Sequence, residues 1–158
     1  MKLHIYGDNI DTDRIIAGKY TKTLDISDLA IHVLEDLDAL FSKRVKQNDI
    51  LIAGWNFGCG SSREQAPVAL KTCGLQAVIA KSFGGIFYRN AINIGLPLFE
   101  IPDHLINKES VLDINIEQST VFDSTSKNFY QSQKMPPVLV AILLAGGLVP
   151  YLQKNGDY

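Results

Sequence analysis

The chain is 158 residues long, 46% hydrophobic and 20% charged, with a formal net charge of −2, a profile that fits one globular domain. At this length folding buries roughly 70% of the surface that the unfolded chain exposes, so neither a disulfide nor a metal is needed to hold the fold together. The slightly acidic balance, with no block of Lys or Arg, lacks the electrostatic footprint of nucleic-acid binding and leaves small molecules or proteins as the expected partners.

Residues 3–6 alternate around His4 like a strand, with no apolar leader region before them. They run into Gly7-Asp8-Asn9-Ile10-Asp11-Thr12-Asp13-Arg14, a segment dense in turn formers. Residues 27–41 carry Leu29, Ile31, Val33, Leu34, Leu37, Leu40 and Phe41 at mostly helical intervals, which predicts two short helices. Residues 49–54 read as a buried strand that feeds the Gly-rich stretch Trp55-Asn56-Phe57-Gly58-Cys59-Gly60-Ser61-Ser62-Arg63. A helix over 64–73 stopped by Gly74, a strand over 77–80 and a helix over 83–94 stopped by Gly95-Leu96-Pro97 follow. This alternation predicts an α/β layer with parallel strands. Beyond Pro97 the texture changes to short strand-like pieces at 111–116, 120–122 and 128–131, then a closing helix over 137–144. No repeat or linker interrupts the chain, so residues 1–158 are expected to form a single domain. The longest apolar run near the C-terminus, residues 138–148, is too short and Gly-broken to span a bilayer, so no membrane association is expected.

Two cysteines, Cys59 and Cys73, are too few and too widely spaced for a zinc site or a disulfide framework, which fits a reducing, cytoplasmic location. His4, His32 and His104 share no motif and read as structural or surface residues. Chemistry concentrates instead in two loops. Gly58-Cys59-Gly60-Ser61-Ser62-Arg63-Glu64 combines flexible backbone, hydroxyls, a guanidinium and the free N–H groups of a helix start, which suits a carboxylate. Ser61 and Glu64 also stand at capping-box spacing, so a simple helix cap accounts for the same residues. Pro67 is tolerated only in a first turn and costs about 3 kcal/mol or more further in. The helix therefore begins near Arg63 or Glu64, leaving Ser61 and Ser62 in the loop. The Gly-Lys-Ser/Thr ending of a phosphate loop and the dinucleotide-binding glycine pattern are both missing, which disfavours nucleotides. In the first loop Asp8, Asp11 and Asp13 have a calcium-like spacing, but the sixth place is Asp13 rather than Gly and the twelfth is Lys19. Calcium is excluded, and the loop reads either as an Asp-stabilised turn or as part of a site.

Taken in order, residues 7–13, Asn56-Phe57-Gly58-Cys59-Gly60-Ser61-Ser62-Arg63-Glu64, Ala80-Lys81-Ser82-Phe83 and Phe87-Tyr88-Arg89-Asn90-Ala91 resemble the small subunits of 3-isopropylmalate dehydratase and homoaconitase. The likeness extends from about residue 3 to Ala145-Gly146-Gly147-Leu148. The unit is similar to the swivel domain of aconitase, which implies a β/β/α layered α/β fold with a mainly parallel central sheet. It also implies a hydro-lyase acting on a 2-hydroxy di- or tricarboxylate. Isopropylmalate in leucine biosynthesis is the leading substrate, with homocitrate/homoaconitate and 2-methylmalate as alternatives. A non-catalytic carboxylate-binding assembly module is the contrasting expectation.

The resemblance further implies a separate large subunit that carries a 4Fe–4S cluster on three cysteines, with activity only in the complex. Neither Cys59 nor Cys73 matches a ligand position, so this chain is expected to bind no metal or cofactor itself. By motif, Ser61 corresponds to the serine that removes the carbon-bound proton, Ser62 and Arg63 to ligands of the substrate carboxylate, and Thr12 and Asp13 to a pair lining the same site. Tyr20, Thr21, Lys22 and Thr23 belong to a loop that reaches over the variable end of the substrate. Lys22 reads either as a selector for a tricarboxylate or as a solvated lysine. The pattern departs at Gln65, where many isopropylmalate isomerases have His, and at Ile16, which is polar in aconitase. A further aconitase arginine falls in a segment that this shorter chain lacks, which argues against citrate.

Overall fold

The computed structural model describes residues 1–22 and 25–156. Strands β1 (Leu3–Ile5), β2 (Ile50–Ile52), β3 (Ala77–Ala80) and β4 (Leu98–Glu100) form one parallel sheet in the order β1-β2-β3-β4. The connections carry α1 (Thr12–Ile15), a 3-10 turn (Gly18–Tyr20), α2 (Ile26–His32) and α3 (Phe41–Arg44), then α4 (Gln65–Thr72), then α5 (Gly85–Asn93). When every strand lies beside its predecessor and every crossover has the same hand, all the helices fall on one face. The opposite face must find another cover.

Both faces of the sheet are apolar, as parallel strands require. Leu51, Ala53, Val78, Ala80 and Leu98 pack with Leu29, Ala66, Leu70, Phe87 and Ala91 of the helices. Their alternating neighbours Ile50, Ile52, Ala77, Ile79 and Phe99 pack instead with Leu112, Val121 and Tyr130. Those partners come from an antiparallel meander of β5 (Leu112–Asn115), β6 (Thr120–Asp123) and β7 (Asn128–Gln131). The layers are thus meander, parallel sheet, helices, the expected β/β/α arrangement. Each fully buried Ile or Leu in these layers contributes about 1.5–3 kcal/mol relative to an exposed one.

The C-terminal segment forms α6 (Pro137–Ala145) and α7 (Leu148–Asn155), which pack on α5 and on each other. Lys71 ties this corner to the body, its ammonium donating to the carbonyls of Ile94 (2.6 Å) and Gly146 (2.9 Å) at the ends of α5 and α6. Among the described residues no single helix is long and apolar enough to cross a membrane, and α6 and α7 are bent by 97° at their junction.

Besides the 3-10 turn at Gly18–Tyr20, three elements were not anticipated. Strand β4 is three residues long and offers no alternation to read, α1 is a single turn capped by the Asp11 carboxylate on the Arg14 N–H (2.9 Å), and α7 follows the glycine pair 146–147. Within 27–41 only one of the two expected helices forms. After α2 the chain turns at Leu34, whose φ of 56° breaks the helix while its N–H reaches the Ile15 carbonyl, and α3 starts only at Phe41. Burial of Leu34 and Phe41 outweighs local periodicity there.

His104 is buried and fixes the loop after β4 to the end of β2. Its Nε2–H donates to the Ala53 carbonyl at 2.9 Å, and its Nδ1 accepts from the Ile106 N–H at 3.3 Å. Only the neutral ring satisfies both contacts, and burial holds its pKa below the ordinary 6.5. A group whose folded pKa is depressed adds stability above its unfolded value, and that stability is lost as pH falls. Stability against urea is therefore expected to fall from pH 7 to pH 5, and His104→Gln, which keeps a donor but does not titrate, should flatten that window. An unchanged slope in the variant would contradict the role of His104.

Candidate active site

The parallel register Leu3↔Ile50, His4↔Leu51, Ile5↔Ile52 sets the C-terminal ends of β1 and β2 side by side, so the loops that leave them travel together. The two loops zip along their backbones. The Asn9 N–H donates to the Trp55 carbonyl (2.7 Å), Gly58 to Ile10 (2.8 Å) and Thr12 to Cys59 (2.9 Å). Side chains reinforce the seam: the Asp8 carboxylate accepts from the Trp55 N–H (2.8 Å), and the Asn56 amide donates to the Asn9 side-chain oxygen (2.9 Å). Asn9 and Asn56 have φ of 59° and 61°, a left-handed conformation that asparagine tolerates better than most residues.

A third strand end buttresses the seam. The Ser82 hydroxyl accepts from the Asn56 N–H (2.7 Å), and the Phe57 N–H reaches the Ser82 carbonyl (3.0 Å). Beneath it Phe57, Phe83 and Phe87 form an aromatic cluster with ring centroids 5.4 to 6.2 Å apart. Gly58 is required by this packing. Its φ is 77°, and a Cβ there would lie 2.3 Å from a ring carbon of Phe87.

Ser61 and Ser62 stand exposed at the tip of the second loop. The capping-box alternative is not realised, because Glu64 occupies the cap position of α4 and no side chain caps the helix. Ser61 is held from the first loop instead. The buried Thr12 hydroxyl donates to the Ser61 carbonyl at 2.9 Å and lies 3.4 Å from the Ser61 hydroxyl. Arg63 is fixed by Asp13, with Nη2 to Oδ1 at 2.6 Å, and its guanidinium lies against Gly18, where a Cβ would approach Nη1 to 3.0 Å. The Arg63 Nε is buried and has no hydrogen-bond partner among the described residues. Thr12, Asp13, Ser61, Ser62 and Arg63, drawn from segments about fifty residues apart, thus share one surface patch.

The loop at residues 18–22 borders this patch. Tyr20 stacks on His32, the rings nearly parallel with centroids 3.8 Å apart, and the His32 ring is paired with Glu35 at 2.6 Å. That hydrogen bond holds the Glu35 carboxyl below the usual carboxylate range. The Thr21 hydroxyl closes on the Gly18 carbonyl at 2.7 Å, its own carbonyl accepts from the Gln65 amide at 3.1 Å, and Lys22 is exposed. Thr23 lies outside the described residues. Sequence reasoning did not identify Asp8, Asn9, Asn56, Gly18 or Gln65 as supports of the patch, since each acts through a contact with another loop.

An iron–sulfur cluster does not fit the donors of this chain. Cys59 and Cys73 flank opposite ends of α4, burial pushes the Cys73 thiol up to about 12, and no group of three or more His, Cys, Asp or Glu among the described residues is placed to hold a metal.

Residues 5–103 match the profile of the aconitase C-terminal domain. The chain belongs to that family. The matched region of this aconitase C-terminal domain spans α1 to α5, β2 to β4 with the last residue of β1, and both site loops. Relatives extend the likeness through the meander and the final helices. The 3-isopropylmalate dehydratase small subunit of Thermodesulfovibrio yellowstonii is 47% identical over 156 residues, covering 98% of this chain and 93% of its own. The subunit of the same name from Aliarcobacter butzleri is 48% identical over 151 residues, covering 95% and 91%. The 2,3-dimethylmalate dehydratase small subunit of Eubacterium barkeri is 46% identical over 149 residues, covering 93% and 91%. The crystal structure of 3-isopropylmalate dehydratase from Methanocaldococcus jannaschii superposes with a TM-score of 0.89 at 43% identity, covering 98% and 93%.

Two glycine substitutions test the packing under the site. Gly58→Ala, strained in φ and blocked by Phe87, is expected to lower unfolding free energy by about 2–4 kcal/mol. Gly85→Ala, at the first position of α5 with open space around its Cβ, is expected to be neutral or stabilising by up to about 1 kcal/mol. Equal losses in urea titrations of the two variants would refute the close-approach account.

Proposed function

We propose that this chain is the small subunit of a 3-isopropylmalate dehydratase, a hydro-lyase that interconverts 2-isopropylmalate and 3-isopropylmalate by removing and re-adding water in leucine biosynthesis. The observation that carries this reading is the joint placement of the exposed Ser61 hydroxyl and the Arg63 guanidinium on one patch, held there by Thr12 and Asp13. The full-length likeness to dehydratase small subunits supports the same assignment.

The proton removed in such a dehydration sits on a carbon next to a carboxylate, so the transition state gathers negative charge on that carboxylate. Arg63 offers a planar fork of donors to it, already oriented by Asp13 and Gly18 so that little reorganisation is needed. Ser62 adds a hydroxyl donor from the same loop. Ser61 takes the carbon-bound proton as its alkoxide, its own hydroxyl proton having passed to solvent, while the substrate C–O bond breaks and hydroxide leaves toward the opposite wall; the hydrogen bond from Thr12 to the Ser61 backbone carbonyl steadies the loop that carries it. A serine is a weak base at its ordinary pKa, so positive charge beside it is required. Arg63 supplies part of that charge. The loop at residues 18–22 covers the variable end of the substrate.

A large subunit bearing the 4Fe–4S cluster forms the opposite wall, and the pair is active only when assembled. Trp55 in the second loop and Ile86 in the first turn of α5, 44% and 45% exposed, follow the ends of β2 and β3 and suit that contact.

Mixed anaerobically with its large subunit, the chain is expected to form the unsaturated acid from isopropylmalate, followed by ultraviolet absorbance. Ser61→Ala should reduce turnover by about 10² to 10⁴ while leaving assembly intact on gel filtration. Undiminished turnover would remove Ser61 from its role, and a loaded complex with no turnover would favour a non-catalytic module. Faster reaction of 2,3-dimethylmalate or homocitrate would reassign the substrate. If Lys22 selects a tricarboxylate, Lys22→Val shifts the kcat/KM ratio toward isopropylmalate; an unchanged ratio makes Lys22 a solvated surface residue.

A further inference from the structure

Gln65 is the first residue of α4, directly after the serine–arginine loop, and its helix is anchored by the buried Ala66, Pro67, Ala69 and Leu70. Its side-chain amide donates to the Thr21 carbonyl at 3.1 Å, across forty-four residues of chain. Among the described residues, other ties of the segment it holds run within its own turn, to α2 and to Arg63. Thr21 bonds within its own turn to the Gly18 carbonyl, and Tyr20 leans on His32 of α2. At the other end of the same turn Gly18 lies against the Arg63 guanidinium. One short segment therefore touches the residue that would bind the substrate carboxylate and also carries the residues that would meet the variable substituent.

We infer that Gln65 is a specificity-determining positioning residue: by tying the Thr21 carbonyl to the start of α4 it sets the distance between Arg63 and the 20–22 turn, and so the length of substituent admitted between them. This inference rests on the proposed dehydratase reading. Gln65 touches no substrate. Its effect passes through the Thr21 carbonyl and is a matter of donor chemistry, because a carbonyl needs an N–H opposite it and is repelled by a carboxylate.

In the assembled two-subunit enzyme, Gln65→Ala and Gln65→Glu are expected to change the ratio of kcat/KM for isopropylmalate over 2-methylmalate by about tenfold, chiefly through KM, with kcat for isopropylmalate within about threefold of wild type. Gln65→His, which restores an N–H donor of similar reach, should recover most of the ratio. A general structural defect would instead depress both substrates equally, and an unchanged ratio in Gln65→Ala overturns the inference. Hydrogen exchange on the free full-length chain separates this from the functional reading. The Tyr20 and Thr21 amides, bonded to the Ala17 and Gly18 carbonyls, should exchange about tenfold faster in Gln65→Ala while the amides of β2 and β3 do not change. Faster exchange with no turnover of either substrate by the wild-type complex would keep the tie and sink the dehydratase assignment; unchanged exchange would sink the tie whatever the substrate.

Discussion

The parallel pairing of β1 with β2 is the constraint on which the rest of the site depends. Its register sends two chain segments, separated by more than forty residues, off the same sheet edge in the same direction. From there the loops have no choice but to satisfy one another's backbone groups, because both run over a packed core and buried N–H and C=O groups need partners. The contacts from Asn9 to Trp55, Gly58 to Ile10 and Thr12 to Cys59 are that requirement met. A small displacement of either strand would misalign every functional side chain at once.

The all-sequential strand order has a second consequence. With the helices confined to one face, the other face needed the meander, and the molecule became three layers with cores on both sides of a short sheet. Strands of only three or four residues suffice because they are buried on both faces and braced by these layers. That rigidity is what lets a loop tip hold a serine and an arginine in fixed relation.

The patch sets a guanidinium beside a carboxylate. Arg63 has one nitrogen committed to Asp13, while its Nε is buried without a hydrogen-bond partner among the described residues. Asp13 is itself largely exposed, at 61%, so the pair contributes orientation more than stability. Ser61 and Ser62 face open solvent, as one wall of a split site would. An opposing surface turns such a wall into a water-poor cleft where these same dipoles count for more.

Much of this was legible in the chain of letters. Alternating apolar runs and Gly or Pro stops marked β2, β3, α4 and α5, and Pro67 alone placed the helix start after Ser61 and Ser62, as found. The motifs in two distant segments named the residues of the patch and the layered fold. What periodicity could not show was anything that depends on a distant partner: the short β4, the turn at Leu34 forced by its burial against the core, the glycine at 58 that makes room for Phe87, and the amide of Gln65 reaching Thr21. The sequence by itself determined where the helices and the buried strands of the layer fall and which loops concentrate polar and Gly-rich residues, because composition and turn chemistry are local. Only the tertiary structure decided that Thr12 steadies Ser61, that Asp13 aims Arg63, and that the 18–22 turn is bound to α4, since hydrogen bonds and close packing between segments exist only once the sheet has brought them together.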